Sequence, residues 1–152
     1  MDFWSSYGLP EICPRPMKAP LDLAKLLRET KTIAVVGLSS NPSRPSHRVA
    51  SYLQEQGYRI VPVNPNCRAV LGETAFPSLL QVPKGIRIDL VNIFRRPDAI
   101  LPIVEEAIQI GARGVWMQEG VIHSGAAQMA ESAGLWVVMD RCLMIEHNHY
   151  VS

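Results

Sequence analysis

Residues 32–48, TIAVVGLSSNPSRPSHR, constrain the fold more than any other stretch of the chain. Ile33, Ala34, Val35 and Val36 form an unbroken apolar run, the pattern of a central strand buried on both faces. The run stops at Gly37. Ser39, Ser40, Asn41, Pro42 and Ser43 then supply turn chemistry, and Ser46, Val49, Ala50 and Leu53 recur at helical spacing. Strand, loop and helix in that order aim backbone N–H groups and the positive end of a helix at whatever lies beyond the strand. The matching guest is an anion.

The rest of the chain repeats the alternation. Residues 22–29 place Leu23, Leu26 and Leu27 on one helix face behind Asp22 as N-cap. Residues 59–63 read as a second strand closed by an Asn64-Pro65-Asn66 turn; residues 71–76 hold a short strand and 78–81 a helical turn. Residues 88–94, IDLVNIF, read as a third strand. Ile100, Ile103, Val104, Ala107 and Ile108 then share a helix face, with Pro102 in the first turn, where a missing N–H costs little. Gly111 ends that helix, residues 114–117 form a strand, Ser124 caps a helix running through Ala133, and 135–139 is the last strand before a helical segment over 140–149. This order predicts a doubly wound α/β domain, its mainly parallel sheet flanked by helices and joined by right-handed crossovers. Pro10, Pro14, Pro16 and Pro20 predict an irregular arm over residues 1–20, anchored by Phe3, Trp4 and Tyr7, ahead of a single domain over 21–152.

Composition excludes several partners. A length of 152 residues with 47% apolar content suits one domain with a real core. A net charge of +1 gives no general reason to expect nucleic acid or an anionic membrane, so any anion affinity must be local. No segment has the pattern of a signal peptide or the roughly 18–20 apolar residues of a membrane span, and a cytoplasmic protein is expected. Cys13, Cys67 and Cys142 are odd in number and lack CxxC spacing, which predicts reduced thiols rather than disulfides or a zinc knuckle.

Ligands of a doubly wound sheet bind beyond the carboxyl ends of the strands, at the switch in strand order. The lining loops are therefore 37–44, 64–68, 94–97, 118–120 and 140–142. The first departs from the dinucleotide fingerprint, since Ser39 and Pro42 stand where GxGxxG has glycines. The second strand ends in Val63, Asn64 and Pro65, without the acidic residue that takes nicotinamide ribose hydroxyls. Arg44, Arg48, Arg68, Arg95 and Arg96 instead suit a ligand with an additional phosphate, and NADP and coenzyme A both qualify. Asp140, Cys142, Glu146, His147 and His149 match no strong metal motif and read as a solvated terminal helix. His47 and His123 are isolated. Ser39 and Ser46 lack the G-x-S-x-G elbow of a nucleophile, and Cys67 reads as an ordinary small thiol. No catalytic set emerges.

In order and spacing, IAVVGLSSNPSRPSHRVASYL, YRIVPVNPN with LGE, DLVNIFRRPD, GARGVWMQEGV and GLWVVMDRCLMIEH together resemble the CoA-binding domain proteins. These are small stand-alone relatives of the amino-terminal domain of the succinyl-CoA synthetase alpha subunit. The resemblance, spanning residues 32–147, implies a Rossmann-like fold holding coenzyme A or an acyl-CoA. It implies that Gly37, Leu38, Ser39, Ser40 and Asn41 cradle phosphates, with Arg44 and Arg68 on the ADP phosphates. Val63, Asn64 and Pro65 would border the adenosine. Phe94, Arg95, Arg96 and Pro97 would contact the nucleotide end, and Gln118 and Gly120 would lie near the pantetheine path. The synthetase's second alpha domain, with its phosphorylated histidine, and its beta subunit have no counterpart here, so ligase chemistry is not expected. The expectation is a non-catalytic CoA-binding carrier or regulatory module, with a protein partner for the arm compatible with it. The alternative is an NADP-dependent oxidoreductase or another nucleotide-binding regulator.

Overall fold

Every residue of β1 (Thr32–Val36) is buried in the computed structural model, which describes residues 22–151. The arm expected over residues 1–20 lies outside the described residues. Strand β1 pairs in parallel with β2 (Arg59–Val63) on one side and with β5 (Leu90–Ile93) on the other. Beyond β5 come β6 (Gly114–Met117) and β7 (Trp136–Val138), giving the parallel order β2-β1-β5-β6-β7. This is a Rossmann-like, doubly wound sheet, as the alternation predicts.

Pleating sends alternate β1 side chains to opposite faces. Ala34 and Val36 join a core with Ile100, Val104 and Ala107 of α3 (Ile100–Gln109) and Ala126, Ala127 and Ala130 of α4 (Ser124–Ser132). Ile33 and Val35 face the other way. They pack with Leu27 of α1 (Leu23–Glu29), with Val49, Ala50 and Leu53 of α2 (Pro45–Glu55) and with Leu143 of α5 (Leu143–Tyr150). Each fully buried aliphatic side chain contributes about 1.5–3 kcal/mol relative to exposure. The apolar run of β1 thus serves two cores at once.

Several boundaries differ from the sequence-based expectation for local reasons. The third strand is shorter than 88–94, because Asp89 Oδ2 accepts the Lys31 and Thr32 N–H groups at 3.0 Å each and clamps the strand entrance. The last strand likewise narrows to three residues, and α5 begins only at Leu143. The segment expected to hold one short strand is a hairpin, β3 (Ala69–Val70) against β4 (Glu73–Thr74). Its two-residue turn places Leu71 and Gly72 at φ 55° and 76°, the backbone a right-twisted hairpin requires. Phe76 returns beside β2, its N–H donating to Pro62 at 3.0 Å and its carbonyl accepting from Asn64 at 2.9 Å. Asp22 is the expected cap of α1, its Oδ1 accepting the Lys25 N–H at 3.1 Å. Ser124 is the first helical residue of α4 rather than its cap: His123 Nδ1 accepts the Ala126 N–H at 3.0 Å.

Candidate functional site

An open cleft of about 660 Å³ lies beyond the carboxyl ends of β1, β5 and β6. Strand order reverses between β1 and β5, so the cleft occupies the switch point of the sheet. Gly37, Ser39 and Arg44 form one wall, continued by Ser46, Arg48 and Val49 from the first turns of α2. Phe94, Arg95, Arg96 and Pro97 rise from the β5 loop. Gln118, Glu119 and Gly120 follow β6, and Cys142, Met144 and Ile145 close the far side.

The loop between β1 and α2 is held by its own side chains. Ser46 Oγ accepts the Ser39 N–H, Ser39 Oγ the Asn41 N–H, and Asn41 Oδ1 the Ser43 N–H, each at 3.0 Å. Arg48 donates to the Ser43 carbonyl at 2.8 Å, drawing its guanidinium back over the loop. The Ser40 N–H and the Ser46 N–H in the opening turn of α2 have no hydrogen-bond partner among the described residues. The free Ser46 amide, a helix N-terminus and four arginines on one cleft make a local positive site in a chain that is nearly neutral. Gly37 lets the strand ends approach: at φ 87°, an added Cβ would lie 2.4 Å from the Phe94 carbonyl oxygen.

The opposite wall is equally fixed. Gln118 is buried, and its Oε1 accepts the Leu143 N–H at 3.4 Å, capping α5. Trp116 Nε1 donates to the Arg141 carbonyl at 2.8 Å, and Asp140 Oδ1 accepts the Gly120 N–H at 2.7 Å. These bonds tie the β6 loop to the start of α5. The first turn of α5 thereby borders the same cavity as the first turn of α2.

Of the sequence-predicted site residues, the cleft gathers Gly37, Ser39, Arg44, Phe94, Arg95, Arg96, Pro97, Gln118 and Gly120. Leu38 and Val63 are buried in the two cores, on opposite faces of the sheet. Ser40, Asn41, Asn64, Pro65 and Arg68 do not line the cleft. Asn64 is spent on structure: its Nδ2 donates to the Leu38 carbonyl at 2.9 Å and its Oδ1 accepts the Asn66 N–H at 2.8 Å. Sequence reasoning placed Cys142 in a lining loop but did not assign Ser46, Val49, Met144 or Ile145 to the site. Their signal was positional, since each lies within one or two turns of a helix that starts at a crevice loop.

Of the titratable residues around α5, His147 faces elsewhere. His147 is buried between Tyr52 and Tyr58, sharing a 2.9 Å hydrogen bond through Nδ1 with the Tyr52 hydroxyl. Burial lowers its pKa from the usual 6.5 and pushes Tyr58, whose hydroxyl donates to the Leu27 carbonyl at 2.7 Å, up to about 12. Both residues line a groove that also includes Thr30, Lys31 and Arg59, at the other end of the sheet. Among the described residues, no group of three or more His, Cys, Asp or Glu side chains is placed to hold a metal ion. No helix among them is long and apolar enough to cross a membrane.

Fold and cleft together define a Rossmann-like protein with its concave site at the topological switch point. A family model described as the CoA binding domain matches residues 31–148, and the chain belongs to that family. The uncharacterized protein YneT of Bacillus subtilis strain 168 is 39% identical over 132 residues, spanning 87% of this chain and 95% of the relative. A hypothetical protein from Pyrococcus horikoshii OT3 has a similar structure, with a TM-score of 0.84 at 37% identity, over 93% of this chain and 100% of that one. The ADP-forming acetate–CoA ligase II of Archaeoglobus fulgidus is 28% identical over 104 residues. That match covers 66% of this chain but 14% of the ligase.

Proposed function

We propose that this chain binds coenzyme A or an acyl-CoA in the switch-point cleft and catalyses no reaction of its own, serving as a carrier or regulatory module. The observation that carries the reading is the convergence of the Ser46 amide, at the start of α2, with Arg44, Arg48, Arg95 and Arg96 at one concave site. Pyrophosphate takes the Ser46 amide and the helix end, and the arginines suit the additional 3′-phosphate that CoA carries. Family membership supports the same ligand class. The second strand favours CoA over a nicotinamide dinucleotide, because it ends in Val63, Asn64 and Pro65 with the Asn64 amide already engaged.

Thermal unfolding at equal concentrations of CoA, dephospho-CoA, NAD and NADP tests the proposal, because a ligand that prefers the folded state raises its stability by mass action. The largest shift comes with CoA and shrinks with dephospho-CoA, which lacks the 3′-phosphate. A larger shift with NADP, or none with any of the four, overturns the assignment.

A further inference from the structure

Asn92 stands at the third of four positions in β5 and is completely buried, yet neither its Nδ2 nor its Oδ1 has a hydrogen-bond partner among the described residues. A buried carboxamide with both polar atoms unpaired weakens a fold, and such a group in a native structure calls for a reason. Its position supplies one. Leu90 packs in the core beneath α2 and α5, while Val91 and Ile93 face the other core, so strand alternation turns Asn92 toward α2 and α5. Register sets it between Val35 of β1 and Trp116 of β6.

Two residues further along the same strands, on the same face, come Phe94 and Gln118, which line the cleft. Asn92 therefore lies one pleat repeat, about 7 Å, below the cleft floor. Val49 and Cys142 belong to the core that contains Val35 and Trp116 and also wall the cleft, so the packing around Asn92 is continuous with the site. Resting on the CoA reading above, we infer that Asn92 is a specificity residue, reached when the ligand's pantetheine arm enters the floor of the cleft. A carboxamide presents one donor and one acceptor side by side, and a secondary amide is its complement. The pantetheine arm carries two secondary amides; the nucleotide half of CoA carries none.

The test compares wild type with Asn92→Leu, which is close in size and apolar. Titration calorimetry is run with CoA and with adenosine 3′,5′-bisphosphate, and denaturant unfolding is followed without ligand. The variant's unfolding midpoint rises, its affinity for CoA falls by about tenfold or more, and its affinity for the bisphosphate is unchanged. Unchanged CoA affinity, or equal losses for the two ligands, overturns the inference. Asn92→Val gives a second, smaller side chain suited to a strand. Reduced stability in both variants also overturns the inference, since it shows that the amide is satisfied in the ligand-free fold. If the wild type binds neither compound, the CoA reading itself has failed, an outcome distinct from a defect confined to the variant.

Discussion

Ser46 Oγ receives the Ser39 N–H at 3.0 Å, joining the loop after β1 to the first turn of the helix that loop leads into. Ser46 is buried while Ser39 is half exposed at the cleft, so the bond fixes a cleft-lining residue from below. Ser46→Ala strips the Ser39 N–H of its acceptor and costs about 1–2 kcal/mol, read as a lower urea midpoint. Because the loop loses its fixed shape, CoA affinity falls as well. Unchanged stability and affinity together would show that the hydroxyl does not organise the loop.

Gly37→Ala tests the close approach of β1 and β5. The new methyl group meets the Phe94 carbonyl oxygen, and the positive φ disfavours any L side chain. Strain and overpacking together cost about 2–5 kcal/mol, a large part of the 5–15 kcal/mol typical of a domain. A circular dichroism melt superimposable on wild type would refute this.

Arg95→Gln and Arg96→Gln separate binding from stability. Both side chains are exposed, and among the described residues the ion pair of Arg96 is a 3.9 Å contact with Asp98, itself exposed. Each substitution leaves stability within about 0.5 kcal/mol of wild type. CoA affinity drops about 3- to 10-fold per arginine, and its dependence on salt weakens in the doubly substituted chain. Loss of stability without loss of affinity would contradict the assignment.

Acid sensitivity centres on His147. Burial favours its neutral form, so the folded state protonates at lower pH than the unfolded chain. Above the usual value of 6.5, both states hold it neutral and stability is flat with respect to this group. Below that value the unfolded chain takes up the proton first, and stability declines as the pH falls through the folded-state value. An NMR titration of the imidazole places its midpoint below 6.5. A midpoint above 6.5 would reverse the sign of the effect.

Strand β1 was legible because four consecutive aliphatic residues leave little besides a doubly buried strand. The α2 face, Ser46, Val49, Ala50 and Leu53, was legible from its spacing, and all four residues are buried. The β3–β4 hairpin was hidden because its turn uses Leu71 at positive φ, without the Asn-Gly or Asp-Gly signal of such turns. His123 looked isolated because capping by an imidazole carries no strong pattern, and the neighbouring Ser124 was the better candidate on propensity. Asn92 lay in plain view within IDLVNIF. Its lack of partners depends on what β1 and β6 place beside it, and strand periodicity does not reveal that.

The order β2-β1-β5-β6-β7 has a consequence for biosynthesis. As the chain emerges from the ribosome, β1, α2 and β2 become available together, but the second edge of β1 waits for β5, whose first residue is Leu90. Until then TIAVV presents a row of unpaired backbone groups on an apolar template, the kind of edge that recruits other chains. The interval ends when Ile93 has left the ribosome and can pair with Val36. The pace at which residues 64–93 emerge therefore sets how long a nascent chain must be shielded from its neighbours.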